Sequence, residues 1–260
     1  MIEVREVIQD VNGRQVLKGV SFTFQKDRMY GIIGPNGVGK STLLHLLSGV
    51  DRPKQGEVLL SGRPLTSYPR KMIAKQMAVL QQNGLPPVGF TVREVVSMGR
   101  YPYQNWLGSE DEDSVKLVEE SLVAMGLKEL ELRTMDQLSG GERQRVALAK
   151  LMAQGPAILL LDEPTTYLDI GFQSQLMDTV RAWQRKSGLT VIAVLHDLNL
   201  AALYCDELVV LHQGKIEAAG TPQQVLTTSL IEQVYETKTT VISHPITGVP
   251  QMMLQPNFKG

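Results

Sequence analysis

The sequence predicts an α/β protein with an N-terminal antiparallel β region and a block of helices inserted into its core. Residues 2–30 show the period-two alternation of half-buried strands, with a hairpin signal at 12–13. The character of the sequence changes after a glycine and proline cluster at 84–87, and residues 91–154 show helical periodicity. From Pro156 strands and helices alternate again, so the α/β core is interrupted and then resumed.

Each further element is predicted from its period and its boundaries. Short apolar runs between glycines or polar residues predict strands at 56–62, 77–80, 157–161, 189–195, 207–211 and 215–218. Apolar residues three or four positions apart predict helices, one of which carries the stripe Val115, Val118, Leu122 and Met125. Capping boxes are predicted at Thr91 with Glu94 and at Ser109 with Glu112.

Composition excludes several classes of protein. The 260 residues are 43% hydrophobic and 20% charged, which favours a packed core over disorder. The net charge of −1 argues against a broad nucleic-acid-binding surface. The single cysteine, Cys205, excludes an intrachain disulfide, and we expect it to be a small core residue in a reducing compartment. There is no signal-peptide core, and no apolar run reaches the ~20 residues of a membrane helix, so we expect a partner to hold the chain at any membrane where it works.

One stretch, from Gly34 to Thr42, fits G-x-x-x-x-G-K-[ST], the phosphate-binding loop. An apolar strand precedes it and an apolar helical face follows it, which is the context that the motif requires. Backbone N–H groups of the loop and the positive end of the following helix dipole both favour a bound triphosphate. Lys40 is expected to reach the β- and γ-phosphates of such a triphosphate, and Ser41 to ligate Mg²⁺. The candidate nucleotide ligands are Gly34, Pro35, Asn36, Gly37, Val38, Gly39, Lys40, Ser41 and Thr42.

Polar side chains follow two further predicted strands. Asp162 and Glu163 come after the apolar run 158–161, and His196 follows 189–195 directly. Parallel strands bring their C-terminal ends to one edge, where open α/β sheets bind ligands. We therefore expect Asp162 to hold Mg²⁺, Glu163 to accept a proton from the attacking water, and His196 to contact the γ-phosphate. A solvated strand end and a structural histidine are the alternative interpretations.

A second glycine turn opens a helix at 138–145. A small hydroxyl, Ser139, and two glycines, Gly140 and Gly141, at a helix N-terminus favour a second anion site. An ordinary loop leading into a helix is the simpler alternative. Because the chain has one phosphate-binding loop, a second anion site raises the question of whether it serves the nucleotide of another molecule.

Together these motifs resemble the nucleotide-binding subunits of ABC transporters. The match covers nearly the whole chain, and Leu-Ser-Gly-Gly-Glu at 138–142 is far more specific than the phosphate-binding loop. The resemblance implies a RecA-like P-loop NTPase core in which ATP is sandwiched between the loop of one subunit and the signature motif of another. The implied divisions are 1–86 (N-terminal β region and first part of the core), 87–155 (helical subdomain with the signature motif), 156–235 (second part of the core) and 236–260 (C-terminal extension).

The same resemblance implies further residue roles and partners. Ser139 and Gly141 would contact the γ-phosphate held by the partner copy. Gln82 matches the glutamine that senses Mg²⁺ and the transmembrane partner, although adjacent Gln81 leaves a one-residue ambiguity. Asp169 matches the fixed acid of a loop that crosses the dimer interface. The implied partners are a second ATPase subunit, permease subunits and, indirectly, a periplasmic or lipoprotein substrate-binding protein, with the chain peripheral at the cytoplasmic face of the membrane.

A narrower resemblance is to the ATPases of iron-chelate importers. It rests on Gly99-Arg100-Tyr101-Pro102 and on the stretches 164–170, 193–199 and 244–250. It implies uptake of a ferric siderophore, with haem and vitamin B12 as alternative cargoes. A soluble ABC ATPase of the iron–sulfur assembly type shares the nucleotide motifs and is the rival interpretation.

The chain departs from the family at the aromatic residue that stacks on adenine. The aligned position is Val11, and no aromatic residue lies between Met1 and Val20. Stacking of a base on an aromatic side chain is worth about 1–3 kcal/mol in single-stranded nucleic acid complexes. We therefore expect an effect on nucleotide affinity or base preference.

Overall fold

The structure, a computed structural model, describes residues 1–81, 89–104, 112–166 and 168–256. The chain divides into two compact units. The first unit joins Met1–Ser67 to Val180–Gly260, and the second is Tyr68–Thr179. The four divisions inferred from the motifs remain a prediction.

The helices and strands confirm the predicted α/β class. The strands are β1 (Ile2–Val11), β2 (Arg14–Phe24), β3 (Met29–Ile33), β4 (Gln55–Leu60), β5 (Arg63–Pro64), β6 (Met77–Leu80), β7 (Ile158–Asp162), β8 (Thr190–Val194), β9 (Glu207–His212), β10 (Lys215–Gly220), β11 (Thr239–Ser243) and β12 (Pro250–Leu254). The helices are α1 (Lys40–Ser48), α2 (Arg70–Gln76), α3 (Val92–Ser97), α4 (Glu112–Ala124), α5 (Gly140–Gln154), α6 (Ile170–Ser187), α7 (Leu198–Tyr204), α8 (Pro222–Val225) and α9 (Thr228–Tyr235). Short 3₁₀ helices lie at Leu65–Ser67, Met98–Tyr103, Lys128–Leu130 and Met135–Gln137.

The N-terminal part of the first unit is an antiparallel sheet with the order β2-β1-β4-β5. Val11 pairs with Arg14 across the predicted hairpin, and both turn residues have positive φ, 50° at Asn12 and 77° at Gly13. A two-residue type I′ turn requires positive φ at both central residues, and Asn-Gly is favoured there because both residues tolerate positive φ. The hairpin predicted from Asn-Gly is therefore confirmed.

The first unit also contributes four strands to the large six-stranded sheet, and these lie in the order β10-β9-β3-β8. β3 is parallel to both β8 and β9, and all five of its residues are buried. A strand covered on both faces reads as a continuous apolar run, as β3 does. Because β3 and β8 are parallel, the segments that follow them emerge at the same edge of the sheet.

The second unit contains the parallel pair β6 and β7 and the mutually packed helices α3, α4 and α5. The predicted Thr91–Glu94 capping box is present, with the backbone N–H of Thr91 donating to Glu94 Oε2 at 2.7 Å. Ser109, the other predicted cap, lies outside the described residues. Among the described residues, no helix combines the length and apolar composition needed to cross a bilayer.

One predicted stripe residue of α4 is wrong. Val118, Leu122 and Met125 are buried, but Val115 is 49% exposed. Ser114 takes the inward position instead, because its hydroxyl accepts a hydrogen bond from Arg100 Nε at 3.0 Å. The buried guanidinium of Arg100 needs hydrogen-bond acceptors. For this reason the first turn of α4 buries the polar residue Ser114 rather than Val115.

Candidate nucleotide-binding site

The phosphate-binding loop lies between β3 and α1 in the first unit. β3 ends at Ile33 and α1 begins at Lys40, as the motif predicts. Gly34 has φ +145°, and a Cβ atom at this position would lie 2.1 Å from the carbonyl oxygen of Leu211. No other residue fits there without moving the backbone of β9, so this glycine sets the direction in which the loop leaves the sheet.

Lys40 lies within the loop that it is expected to serve. Its side chain is buried, and Nζ donates to the carbonyl oxygens of Gly34 and Pro35, both at 2.9 Å. These bonds hold a cation where the loop N–H groups and the N-terminus of α1 already favour negative charge. Ser41 and Thr42 follow in the first turn of α1 and are partly buried.

His196 comes two residues after the end of β8 in the same unit. The backbone N–H of Leu195 donates to the carbonyl oxygen of Ile32 at 3.2 Å, so the β3–β8 pairing continues to the residue before His196. The His196 side chain is exposed at the edge from which the loop 34–39 also emerges. The structure therefore brings these two predicted ligands to one edge of one unit.

Val11 lines a cavity together with the phosphate-binding loop. The cavity, of ≈ 530 Å³, is also lined by Arg14, Val16 and the loop residues 36–38. Val11 is 40% exposed, and the described lining contains no aromatic side chain. The position assigned to the missing aromatic residue thus faces a space that is continuous with the loop.

Asp162 and Glu163 lie at the end of β7 in the second unit. Asp162 is the last residue of the strand and is 7% exposed. Glu163 has φ +50°, a left-handed conformation that is uncommon for a residue with a Cβ atom. Thr166 Oγ1 donates to Glu163 Oε2 at 3.3 Å. Such backbone conformations cluster at active sites, which favours a functional reason for this carboxylate.

Gln82 lies outside the described residues, as does Tyr167 in the loop before Asp169. The strand that leads to Gln82 is nevertheless described. β6 ends at Leu80, which pairs with Leu161 of β7 next to Asp162.

The signature motif forms the N-terminus of α5. Ser139 is the N-cap, its Oγ accepts from the backbone N–H of Glu142 at 3.3 Å, and its own N–H donates to Glu142 Oε2 at 2.7 Å. This capping box was not predicted, although its Ser-x-x-Glu signal is present in the sequence. The side chain and the backbone of Ser139 lower the pKa of Glu142, so this carboxylate stays charged. Ser139 and Gly140 are exposed, so the helix end is accessible to another molecule.

Hydrogen bonds and packing join the signature helix to the loop that contains Asp169. Gln144 Nε2 donates to the carbonyl oxygen of Pro164 at 3.3 Å, and the Phe172 ring lies 3.1 Å from where a Cβ on Gly141 would be. Asp169 Oδ1 accepts from the Phe172 N–H at 2.9 Å at the start of α6. The second unit thus brings together Asp162, Glu163, the signature motif and Asp169.

Tyr235, at the end of α9, is a supporting residue that sequence reasoning missed. With Val234 and Glu236 it lines a cavity of ≈ 460 Å³ that is also lined by the loop residues 35–38. Burial raises the pKa of Tyr235 to about 12, against an opposing hydrogen bond with the backbone of Gly34. No local sequence signal marks this contact, because Gly34 and Tyr235 are far apart in the chain.

Comparison with known proteins adds the family. The ABC transporter family matches residues 17–166. The chain is 41% identical to the probable siderophore transport system ATP-binding protein YusV of Bacillus subtilis, over 90% of this chain and 86% of YusV. It is 42% identical to the ferric enterobactin transport ATP-binding protein FepC of Escherichia coli, over 84% of this chain and 81% of FepC. It is also 41% identical to the uncharacterized ABC transporter ATP-binding protein YvrA of Bacillus subtilis, over 93% of this chain but only 55% of that relative's length.

Solved structures agree with this assignment. The chain superimposes on cbiO1 of Clostridium perfringens, part of the ABC transporter complex cbiONQ, with a TM-score of 0.77 and 30% identity over 89% of this chain and 92% of cbiO1. It superimposes on the dimeric, post-hydrolysis ATP-binding cassette MJ0796 bound to ADP and Pi with a TM-score of 0.72 and 27% identity over 85% of this chain and 98% of MJ0796. With the phosphate-binding loop and the signature motif in place, this chain belongs to the ABC transporter family as an ATP-hydrolysing, ATP-binding subunit.

Proposed function

We propose that this chain powers uptake of a ferric siderophore through a separate permease, at the cytoplasmic face of the membrane. The assignment of the cargo rests on the similarity to YusV and FepC, which extends over more than four-fifths of the chain. The names of these two proteins specify siderophore transport and ferric enterobactin transport. The stretches that suggested an iron-chelate importer, at 99–102 and 193–199, fall within the region that these relatives share.

The proposed reaction is ATP + H₂O → ADP + phosphate. Loop N–H groups bind the β- and γ-phosphates, and the Lys40 amine exchanges its bonds to Gly34 and Pro35 for phosphate oxygens. The water oxygen forms a bond to the γ-phosphorus while the bond to the β,γ-bridging oxygen breaks, and ADP leaves. Glu163 accepts the proton that the attacking water loses. Positioning and charge neutralisation supply most of the rate enhancement in such a transfer.

The donor set fits Mg²⁺. Ser41 offers a hydroxyl oxygen, Asp162 offers carboxylate oxygens, and the assigned glutamine Gln82 would add an amide oxygen, all of which are the hard ligands that Mg²⁺ prefers. Within the described part of the chain, no cluster of three His, Cys, Asp or Glu residues forms a metal cage. Mg²⁺ commonly binds through one or two protein ligands together with substrate phosphates, so a small donor set is what we expect. When bound, the ion neutralises phosphate charge.

A second copy of the subunit is proposed to complete each nucleotide site. Ser139 and Gly140 are exposed and Gly141 is half-buried at the N-terminus of α5, where backbone N–H groups and the helix dipole favour a phosphate. We propose that they contact the γ-phosphate bound by the partner's loop, with Asp169 holding the loop that crosses between the copies. His196 contacts the γ-phosphate from within its own subunit.

Partners and alternative cargoes follow from this function. A permease pair would receive the subunits, and a periplasmic or lipoprotein substrate-binding protein would deliver the cargo to the permease. Haem and vitamin B12 remain alternative cargoes because specificity surfaces lie on those other chains. The soluble iron–sulfur assembly type is the alternative that needs no permease.

The test is to delete the gene and measure uptake of labelled ferric siderophores, haem and cobalamin in iron-starved cells. We expect siderophore uptake to be lost and to return with the wild-type gene but not with a Lys40→Ala copy. Unchanged uptake of all three cargoes, with no second ATPase substituting, would contradict the importer function. Loss of haem or cobalamin uptake alone would keep the mechanism and change the cargo.

A further inference from the structure

We propose that Asn199 is a positioning residue for His196, and that the C-terminal hairpin of β11 and β12 acts on the site through it. The proposal rests on the function proposed above for His196. It assigns a role in ATP hydrolysis to the C-terminal extension, which contains none of the nucleotide motifs.

The contact is a pair of hydrogen bonds between one side chain and one backbone residue. Asn199, in the first turn of α7, accepts from the Met252 N–H through Oδ1 at 2.6 Å and donates through Nδ2 to the Met252 carbonyl oxygen at 3.2 Å. The backbone of Met252 has one donor and one acceptor, so it fixes which way the Asn199 amide faces. The side chain therefore occupies the outer edge of β12 as a further strand would.

The other edge of β12 is already paired. Met252 lies opposite Val241 in the antiparallel β11–β12 ladder, whose register is continuous from Thr239 with Leu254 to Ser243 with Pro250. In addition to this ladder, a side-chain hydrogen bond from Gln255 Nε2 to Thr240 Oγ1 at 2.7 Å joins the two strands at the end opposite the turn. The hairpin is thus held together by its own bonds, and Asn199 ties it to α7.

From Asn199 the connection to His196 is short. Asp197 is the N-cap of α7, and its Oδ1 accepts from the N–H groups of Asn199 at 2.8 Å and Leu200 at 3.0 Å. On the other side of His196, the Leu195 N–H is bonded to β3 at 3.2 Å. His196 is the single residue between a strand end fixed by β3 and a helix start fixed by Asp197 and, through Asn199, by β12.

α7 is a short helix, and two of the three residues that it buries are alanines. It has seven residues, and those that it buries are Leu198, Ala201 and Ala202. Alanine side chains pack without interlocking, so a short helix resting on them is less firmly oriented than one with large core side chains. Losing the bonds to Met252 would let the first turn of α7 rotate and carry His196 out of line with the γ-phosphate.

The experiment compares ATP hydrolysis by wild type, Asn199→Ala, Asn199→Asp and Met253→Ala in the assembled transporter. Asn199→Ala removes both bonds, and we expect kcat to fall roughly 10- to 100-fold because of misplacement, while KM for ATP stays within about twofold since the loop ligands are untouched. Asn199→Asp keeps the acceptor for the Met252 N–H but places a charged oxygen against the Met252 carbonyl oxygen, so its kcat should fall as well. Met253→Ala shortens a side chain of β12 that is 55% exposed and keeps the hydrogen bonds of the hairpin, so it should leave kcat unchanged.

A double-mutant cycle separates positioning from a general loss of structure. If Asn199 acts through His196, adding Asn199→Ala to His196→Ala should slow single-turnover hydrolysis by much less than it slows wild type. Additive losses, or a wild-type kcat in Asn199→Ala, would overturn the proposal while leaving the function of His196 intact. A wild-type rate in His196→Ala would instead refute the proposed function of His196, and this inference with it.

Discussion

Lys40 already makes, within its own loop, the kind of contacts that phosphates would offer. Its amine is bonded to two carbonyl oxygens at 2.9 Å, and its side chain is 5% exposed. A buried ammonium with neutral acceptors gains strongly from exchanging them for anionic oxygens, because charge-assisted bonds are the stronger ones. A substitution at Lys40 therefore tests the proposed phosphate contact directly.

Lys40→Ala is expected to abolish ATP hydrolysis and weaken ATP binding roughly 10- to 100-fold, the range expected for losing a hydrogen bond to a charged group. Isothermal titration calorimetry and phosphate release measure the two effects. The matched control is Lys54→Ala, because Lys54 forms an exposed ion pair with Asp10 and should contribute little. Near-normal turnover of folded Lys40→Ala protein would refute the assignment of the loop.

Val11→Tyr is expected to tighten ATP binding roughly 5- to 100-fold, by adding the ring that the family stacks on adenine. The reason is that Val11 lines the cavity next to the loop residues 36–38. The difference in binding affinity between ATP and triphosphates with other bases should increase. Val50→Tyr, at an exposed position outside that cavity, serves as the control. Equal affinities in wild type and Val11→Tyr would mean that another residue covers the base.

At the scale of elements, the stretch at 99–102 that suggested iron-chelate importers has a packing role. Arg100 is 6% exposed, and its Nη1 donates to the Ala153 carbonyl oxygen at 2.9 Å, near the C-terminus of α5. Its guanidinium also stacks 3.8 Å from the centre of the Tyr103 ring. Gly99 lets this 3₁₀ helix approach α5, since a Cβ there would lie 2.2 Å from the Lys150 carbonyl oxygen. The stretch thus locks the C-terminal end of the signature helix.

Gly99→Ala is expected to lower the free energy of unfolding by about 1–3 kcal/mol, because the added methyl group meets backbone that cannot yield as a side chain would. Urea denaturation followed by circular dichroism measures the change. Gly89→Ala is the matched control, since a Cβ at Gly89 would meet nothing within 4 Å. Identical denaturation midpoints for the two variants would show that α5 and the 3₁₀ helix at Met98–Tyr103 accommodate the methyl group without loss of stability.

The features of the fold that could be predicted from the sequence are local ones. The Asn-Gly hairpin, the loop 34–42 and the Thr91–Glu94 cap each depend on residues a few positions apart. What sequence reasoning missed depends on distant packing. Asn199 meets Met252, and Tyr235 meets Gly34, only because the fold of the first unit brings together residues that are far apart in the sequence. Val115 was misplaced for the same reason, since the partner that turns Ser114 inward is Arg100 of another helix.

At the scale of the whole molecule, the site residues are divided between two units. The loop and His196 belong to the first, while Asp162, Glu163 and the signature motif belong to the second. The signature helix end is exposed in the single chain, which is what a sandwich shared by two copies requires. We therefore propose that ATP joins two copies of the subunit, and that Glu163 acts in the hydrolysis of ATP rather than in its binding.

The most direct test is the mass of Glu163→Gln protein, measured by size-exclusion chromatography with light scattering in ATP and Mg²⁺, alone and with the permease chains. Glutamine keeps the shape of Glu163 but cannot accept the proton, so we predict a stable dimer that retains bound ATP and hydrolyses it very slowly. Adding Ser139→Arg should block the signature end and return the protein to a monomer that still binds ATP at its own loop. A folded Glu163→Gln protein that binds ATP yet stays monomeric in both samples, or that hydrolyses ATP at the wild-type rate, would contradict the account.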